Sequence, residues 1–311
     1  MHNCLVSDCQ KEFETEASLH KHLKAHKLLL DTYYQTYIPR HDRFDGSIIK
    51  FKNKEQYLNT DFNRRENLRY WMLSHDKEEV KKYCKELLIK RKEKKEIIYS
   101  PTQVELRTTL MPPIQSYDEL FGSYYDLCRE LGFIANWMNP DVFHGDVSHP
   151  KETIFIDSRE QLPFSFPGCK TEVRGLKFGD YAYSNDEVSS KGYIERKSIQ
   201  DFVGTFSGGF ERFGREVERA ASAGAYLVVL VEDTLNHCLN FHESPNVYRK
   251  THITPEYVFH NVRELIQSYD NLQFLFVSGR YQSVQSIIKI FNSKGLYRRV
   301  DLQLCYDIGF L

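Results

Sequence analysis

Apolar and polar positions divide the chain into stretches with different periodicities. In the middle stretch, apolar side chains recur at the helical spacing of three and four residues, at Val80, Tyr83, Cys84, Leu87 and Leu88. Farther on, short apolar runs rich in β-branched and aromatic residues alternate with helical patterns, and these runs cover residues 153–156, 226–231 and 272–277. Such alternation predicts an α/β sheet domain.

Helix signals near the end of the chain support this division. Thr254 and Pro255 are an N-cap and a first-turn residue, and apolar positions then recur at helical spacing. A second helical pattern covers residues 280–294 and stops at Gly295. We therefore expect a small module over residues 1–27, a mainly α-helical region over 28–150 with a linker at 139–150, and the α/β domain over 151–311.

Composition narrows the class of protein. The chain has 311 residues, of which 41% are hydrophobic and 27% charged, and its formal net charge is -1. These values exclude a disordered polyelectrolyte and a protein-wide positive field, so any polyanion must bind locally. No apolar run reaches the roughly 18 residues of a membrane helix, so we expect no membrane partner. No G-x-x-x-x-G-K-S/T motif is present, so we expect no nucleotide cofactor.

Cysteine usage bears on the compartment. Seven cysteines are an odd number spread over a long chain, which fits thiols or metal ligands better than a disulfide framework. We therefore expect an intracellular protein, either in the cytoplasm of a prokaryotic or virus-infected cell or in a eukaryotic nucleus.

Two cysteines and two histidines near the amino terminus have the spacing C-x4-C-x12-H-x3-H; they are Cys4, Cys9, His22 and His26. Zinc takes four N or S ligands in a tetrahedron, and two histidines one helical turn apart present nitrogens on the same side of a helix. Phe13 and Leu19 stand where a CCHH zinc finger has its small apolar core. The segment resembles such a finger, and the resemblance implies a ββα fold that holds Zn²⁺.

The partner of this finger stays open between DNA and protein. The positions that would face bases are Thr15, Ser18 and Lys21. Three acidic residues would face phosphates unfavourably, namely Glu12, Glu14 and Glu16. One finger reads about three base pairs, so we expect it to anchor or bias binding and not to select a genomic site alone.

A basic run follows the apolar face of the middle stretch. Residues 77–95 contain nine Lys or Arg and end in Lys90, Arg91, Lys92, Lys94 and Lys95. Such a run is either a solvated helix face or a surface that follows DNA phosphates, in which case affinity falls with salt. Residues 101–133 resemble the small helical repeats attached to some homing endonucleases, and an ordinary helical packing unit fits them equally.

Acidic side chains and one lysine fall near the ends of successive predicted strands. Asp180 and Glu195 can share a divalent cation at neighbouring strand positions, because carboxylate oxygens suit Mg²⁺. Lys197 lies two residues after Glu195, so it points to the same face of the strand and can sit beside a metal-bound water. This arrangement resembles the active site of the PD-(D/E)xK nucleases. The resemblance implies an α/β restriction-endonuclease-like fold, in which a mixed sheet is flanked by helices.

The motif G-D-x14-E-R-K-x3-D, preceded by D-x-R-E, closely resembles the nuclease domain of the XPF-type structure-specific endonucleases. The resemblance covers residues 153–294 and implies cutting of branched DNA, such as flaps and forks, with Mg²⁺ or Mn²⁺. It implies metal ligation by Asp157, Asp180 and Glu195, and orientation or activation of water by Lys197. It also implies supporting roles for Arg159, Glu160, Arg196 and Asp201. Arg212 and Phe213 match the family's Arg-aromatic position, whereas Glu216 replaces a frequent Gln.

The resemblance also bears on assembly and on what grips the DNA. Nuclease domains of this family pair, so we expect a homodimer through the helices after Thr254. The sixteen residues after Gly295 show no helix-hairpin-helix pattern, so the finger and the basic run are the expected DNA-binding parts, with Lys21 and Arg212 added. Two alternatives remain: a non-catalytic DNA-binding or scaffold subunit, and a sequence-specific nuclease of homing or restriction type.

Overall fold

The computed structural model describes residues 2–7, 9–39, 72, 76–95, 98–109, 111–134, 137–143, 152–184, 191–241 and 253–311. The chain forms two compact units, Met1–Val80 and Lys81–Leu311. From residue 144 onward, the predicted linker at 139–150 lies outside the described residues, and so does the predicted boundary at residue 150. Within the described ranges, no helix is both long and apolar enough to cross a membrane.

The first unit contains the small module at the amino terminus. Strands β1 (His2–Asn3) and β2 (Glu12–Phe13) pair antiparallel, and helix α1 (Glu16–Leu23) follows. Thr15 caps α1 by accepting a hydrogen bond from the backbone N–H of Ser18. The ββα order agrees with the prediction from the Cys and His spacing.

Helix α2 (Leu30–Tyr37) extends the core of this module beyond residue 27. Tyr33 and Tyr34 are buried with Cys4, Leu19 and Leu23 in one apolar cluster. The Tyr33 hydroxyl accepts a hydrogen bond from the backbone N–H of Leu5 at 3.1 Å. A two-stranded finger alone has a very small core, and these two tyrosines enlarge it.

A helical segment precedes the large sheet, as the sequence predicts. Its helices are α3 (Lys77–Lys95), α4 (Gln103–Thr108), α5 (Ile114–Phe121) and α6 (Tyr124–Glu130). Thr102 caps α4 and Ser123 caps α6, each through a side-chain oxygen that accepts from a backbone N–H.

The sheet of the second unit has six strands: β3 (Ile154–Asp157), β4 (Thr171–Arg174), β5 (Tyr181–Tyr183), β6 (Gly192–Lys197), β7 (Tyr226–Val231) and β8 (Leu272–Phe276). Their order is β4-β3-β5-β6-β7-β8. β5 is antiparallel to both of its neighbours, and the other pairs are parallel. The sheet is therefore mixed, as predicted.

Helices cover both faces of this sheet. They are α7 (Ile199–Thr205), α8 (Phe210–Ser222), α9 (Leu235–Leu239), α10 (Pro255–Ser268), α11 (Gly279–Asn292) and α12 (Leu302–Asp307). Side chains of β7 alternate between two apolar clusters, with Val228 packing among residues of α11 and α12, and Val229 among residues of α7, α8 and α10. The sheet separates these two cores.

The same alternation sorts the polar residues of β6. Ile194 belongs to the core on the α11 side, and Tyr193 packs on the α8 side. Glu195 and Lys197 share the parity of Tyr193, whereas Arg196 shares that of Ile194. Three consecutive charged residues therefore serve two different faces of the sheet.

Within the second unit, the helical segment packs directly on the α/β domain. Asp301 accepts a hydrogen bond from the backbone N–H of Gln103 at 2.6 Å. Arg107 forms an ion pair of 2.7 Å with Asp307, and Val104 lies in the apolar core beneath α10. These contacts hold α4 against the α/β domain.

Candidate active site

Three strand ends meet at one edge of the sheet. Because β5 runs opposite to β3 and β6, its amino end lies beside their carboxyl ends. The backbone N–H of Asp157 donates to the carbonyl of Asp180 at 2.8 Å, and that of Asp180 donates to the carbonyl of Ile194 at 2.8 Å. These bonds place Asp157, Asp180 and Glu195 at neighbouring positions of the edge.

Gly179 makes the close approach of Asp180 to β6 possible. Its φ of +58° lies in the left-handed region that favours glycine. A Cβ at this position would meet the carbonyl oxygen of Ile194 at 2.9 Å. The G-D part of the motif thus has a backbone reason as well as a chemical one.

Asp180 and Glu195 present negative charge to the same small volume. Asp180 Oδ2 accepts a hydrogen bond from the backbone N–H of Arg196 at 2.7 Å. Burial and, secondly, the charge of Glu195 together raise the pKa of Asp180 to about 7. A divalent cation between the two carboxylates would relieve this repulsion, and their oxygens are of the type that Mg²⁺ or Mn²⁺ prefers.

Lys197 provides the positive charge beside these carboxylates. Its Nζ donates to Glu195 Oε1 at 3.0 Å, and the side chain is only 8% exposed. The Nζ also lies 4.9 Å from the centroid of the Phe213 ring on α8. The ammonium group is therefore held in place on the face that carries the acidic side chains.

Asp157 accepts hydrogen bonds from within the chain on both of its carboxylate oxygens. Its Oδ2 accepts from Arg159 Nε at 2.8 Å, and its Oδ1 accepts from the backbone N–H groups of Arg159 and Leu176. Burial opposes ionisation, yet these bonds outweigh it and lower the pKa of Asp157. Asp157 therefore anchors Arg159 in this structure, and its role as a metal ligand stays a prediction.

Arg196 and Glu160 lie in an ion-pair network on the opposite face. Arg196 Nη2 contacts Glu160 Oε1 at 3.0 Å, and its Nη1 contacts Glu232. Arg280 at the start of α11 contacts Glu232 at 3.3 Å and donates to the carbonyl of Leu162 at 3.0 Å. This network joins the loop after β3 to the ends of β6 and β7.

Asp201 acts on the backbone of α7. Its carboxylate accepts a hydrogen bond from the Ser198 hydroxyl at 2.6 Å, and its N–H donates back to that hydroxyl. Ser198 is thus the N-cap of α7, which starts immediately after Lys197, and the carboxylate of Asp201 orients the capping hydroxyl. The supporting role of Asp201 is therefore to fix where β6 ends.

Sequence reasoning noted Glu216 only as a departure from the family pattern, and it missed Glu232 and Arg280. Glu216 on α8 is half-buried, and its pKa is raised by burial and then by the charge of Glu195. Glu232 and Arg280 complete the network around Arg196. Helical spacing from Phe213 would have pointed to Glu216, whereas the contacts of Glu232 and Arg280 depend on tertiary packing.

The predicted zinc ligands come together in the first unit. Within the described ranges, Cys4, Cys9, His22 and His26 are the one group of three or more His, Cys, Asp or Glu residues whose ligand atoms all lie within 4.8 Å of one another. Cys9 Sγ lies 3.2 Å from His22 Nε2, and the two histidine Nε2 atoms are 3.0 Å apart. Two thiols and two imidazoles fit a tetrahedral zinc ion.

The base-facing positions of α1 are mostly engaged in the helix itself. The Thr15 hydroxyl caps the helix and lies 2.9 Å from the Ser18 hydroxyl. Lys21 is exposed. One long cation and two paired hydroxyls offer little direct recognition of bases.

The basic run on α3 is used partly within the fold. Arg91 forms an ion pair of 2.8 Å with Glu105, and Lys92 donates to the carbonyl of Gly132 at 2.7 Å. Lys90 is exposed and lies 3.7 Å from Glu86. Arg91 and Lys92 therefore hold the helical segment together, and DNA binding by these two residues stays a prediction. The side chains of Lys94 and Lys95 lie outside the described residues.

Comparison with known proteins agrees with the motif at this edge. Residues 154–290 match the family model described as the ERCC4 domain. Two solved structures are similar to this chain: XPF from Aeropyrum pernix, and XPF from Aeropyrum pernix in complex with DNA. The first has 18% identity and a TM-score of 0.34, covering 50% of this chain and 68% of that chain. The second has 17% identity and a TM-score of 0.32, covering 46% and 64%. No curated protein matches the chain.

Proposed function

We propose that this chain, whose residues 154–290 form an ERCC4 domain, is a divalent-metal-dependent DNA endonuclease. The observation that carries the proposal is the grouping of Asp180, Glu195 and Lys197 on one face of one sheet edge. Two carboxylates and a lysine in this arrangement suit hydrolysis of a phosphodiester bond.

Asp180 and Glu195 are the residues that would hold Mg²⁺ or Mn²⁺. When bound, such an ion supplies an activated water and stabilises negative charge on the phosphate. Asp180 is kept in register by the backbone N–H of Arg196, so its second oxygen is free to face Glu195. Asp157 is buried, and its ion pair with the exposed Arg159 fixes that arginine beside these carboxylates.

Lys197 orients the attacking water and offsets charge on the phosphate. Its ammonium has three donors, of which one reaches Glu195. The remaining donors would contact a water or a phosphate oxygen of the bound substrate. Phe213 beneath the ammonium limits the positions that it adopts.

We propose branched DNA as the substrate and a pair of chains as the active assembly. The support for both proposals is the resemblance of the G-D-x14-E-R-K-x3-D motif to XPF-type nucleases, together with the match of residues 154–290 to the ERCC4 domain model. We further propose that the quartet of Cys4, Cys9, His22 and His26 binds one Zn²⁺ and that the finger anchors either DNA or a protein partner.

A cleavage assay with matched variants tests the proposed activity. The full-length chain is incubated with Mg²⁺ or Mn²⁺ and with flap, fork, duplex and single-stranded DNA of the same sequence. We expect cutting near the branch by the wild type, and none by Asp180→Asn or Lys197→Met. Glu172→Gln, a change of an exposed carboxylate on β4, is the control and should cut normally.

Three outcomes would redirect the proposal. A wild-type chain that binds DNA and cuts no substrate would favour a non-catalytic DNA-binding subunit. Cutting at one recurrent sequence in a random plasmid library, irrespective of branching, would favour a sequence-specific nuclease. Normal cutting by Lys197→Met would show that the active site lies elsewhere.

A further inference from the structure

Helix α8 carries three exposed arginines, Arg212, Arg215 and Arg219, and the sequence predicts DNA binding for Arg212 alone. We propose that Arg212, Arg215 and Arg219, together with Arg159, form a track that binds the phosphates of a DNA strand beside the carboxylates. We call these four residues the arginine track. The inference deepens the proposed function and rests on it for the identity of the ligand, DNA.

Helix geometry places three of the four side chains in one stripe. An α-helix turns by about 100° per residue, so Arg212, Arg215 and Arg219 project within about 60° of one another. Phe213, Val217 and Ala220 are the buried residues of α8 and fix its rotation against the sheet. The stripe therefore lies along one side of the helix and faces solvent.

The stripe borders the active site. Phe213 on α8 contacts the ammonium of Lys197, and Glu216, one turn later, lies between the stripe and the buried side of the helix. Glu216 feels the charges of both Glu195 and Lys197, and those of Arg219 and Arg159 as well. The arginine track therefore lies next to the active site.

The guanidinium groups of the stripe are available to a ligand. Acidic residues lie three or four positions away on α8, at Glu211, Glu216 and Glu218. Nevertheless, among the described residues no ion pair within 4 Å joins one of these acids to Arg212, Arg215 or Arg219. A solvated amphipathic helix commonly closes such pairs, whereas open guanidinium forks match phosphate oxygens.

Arg159 continues the track from the loop after β3. Its side chain is 70% exposed although Nε is bound to Asp157 at 2.8 Å. Its Nη2 also contacts Asp157 and donates to the carbonyl of Leu176 at 2.9 Å, so Nε and Nη2 are held within the chain and Nη1 is the nitrogen that faces a ligand. An arginine held in this way loses little conformational entropy when it binds a phosphate.

The test compares two double variants with the same loss of charge. Arg215→Ala/Arg219→Ala removes half of the arginine track. Lys170→Ala/Lys191→Ala removes two exposed cations that precede β4 and β6, at the opposite edge of the sheet. Binding of a fluorescent fork DNA to the full-length chain is measured by anisotropy with Ca²⁺ between 50 and 200 mM salt, conditions of roughly the range used for such salt slopes.

We expect the arginine variant to bind at least about tenfold more weakly at the lowest salt and to have a salt slope about 2 smaller, because two phosphate contacts are lost. The lysine variant should have the wild-type slope. Equal slopes for both variants would overturn the proposal, provided that their melting temperatures match the wild type. The proposal would also be overturned if the arginine variant kept its binding to DNA and lost binding to polyglutamate. That result would favour an acidic protein partner.

The cleavage assay separates this inference from the proposed function. If the wild type binds DNA through the arginine track and cuts nothing, the nuclease proposal fails and the phosphate track stands. If the wild type cuts and the slopes are equal, the nuclease proposal stands and the track fails.

Discussion

Lys197 donates a hydrogen bond to Glu195 over 3.0 Å from the same face of one strand, while Arg196 between them serves the other face. This relationship separates the roles of three consecutive charged residues. Lys197→Met keeps the apolar contact with Phe213 and removes the charge. We expect cleavage to fall by at least about 100-fold with DNA binding within about threefold of wild type. Single-turnover cleavage and anisotropy on the same fork would measure the two effects.

Asp180→Asn should make the protein more stable while it abolishes cleavage. The folded-state pKa of Asp180 is about 7, above its ordinary value, so ionisation of Asp180 costs stability as pH rises from about 4 to about 7. An asparagine keeps an acceptor for the N–H of Arg196 and can donate to Glu195. Without divalent cations, we expect a gain on the order of 2 kcal/mol in the free energy of unfolding at pH 8, and almost none at pH 4. Urea unfolding at both pH values checks this; an equal gain at both would contradict the assigned cause.

Arg196→Leu should destabilise the second unit strongly. It would leave Glu160 and Glu232, at 5% and 10% exposure, without their shared cation. The expected loss is about 3 kcal/mol or more in the free energy of unfolding. Arg129→Leu breaks an exposed ion pair with Asp126 and should cost less than about 1 kcal/mol. Similar losses from the two variants would show that the network on β6 contributes no more than a surface pair.

Removal of zinc should unfold the finger and leave the second unit intact. The core around Tyr33 and Tyr34 is small, and four ligands would lose their common ion. Cys9→Ser should lose zinc, whereas Cys169→Ser, a change of a thiol outside the quartet, should keep it. Elemental analysis measures the metal content, and hydrogen exchange should show faster exchange over residues 2–38 alone. Protection that persists there after chelation would contradict a structural role for zinc.

Gly214→Ala should stabilise α8 without affecting the arginine track. Gly214 is inside the helix, and a Cβ added there would meet nothing within 4 Å. Replacement of an interior helical glycine by alanine gains about 0.5–1 kcal/mol. About 100° per residue places position 214 on the opposite side of the helix from the arginine stripe, so DNA affinity should not change. A melting temperature below that of the wild type would reveal a contact that the glycine makes possible.

The alternation of apolar runs with helical patterns predicted an α/β sheet domain, and the resemblance to XPF-type nucleases implied that its sheet is mixed. The order of the strands depends on tertiary pairing, which no local pattern contains. Lys197 and Glu195 were placed on one face by their spacing alone. The Cys and His quartet was equally accessible, since its geometry depends on a single helical turn and a hairpin.

Other features depend on tertiary contacts that no local pattern contains. Arg91 and Lys92 look like a DNA-binding run, yet Glu105 and the carbonyl of Gly132 engage them. Asp157 belongs to a motif of predicted metal ligands, yet Arg159, two residues away, donates a hydrogen bond to its Oδ2. In both cases a charged residue found a partner within the chain, and partner choice is a property of packing.

The attachment of α4 to the α/β domain has a practical consequence for protein production. Helix α4 covers part of the α/β domain through three residues. Gln103 binds Asp301, Val104 lies in the core beneath α10, and Arg107 pairs with Asp307. A shortened expression fragment that starts at residue 151 would expose that apolar surface and leave Asp301 without one of its donors. We expect such a fragment to aggregate, and a fragment that starts just before α3 to remain in solution as a usable source of the α/β domain.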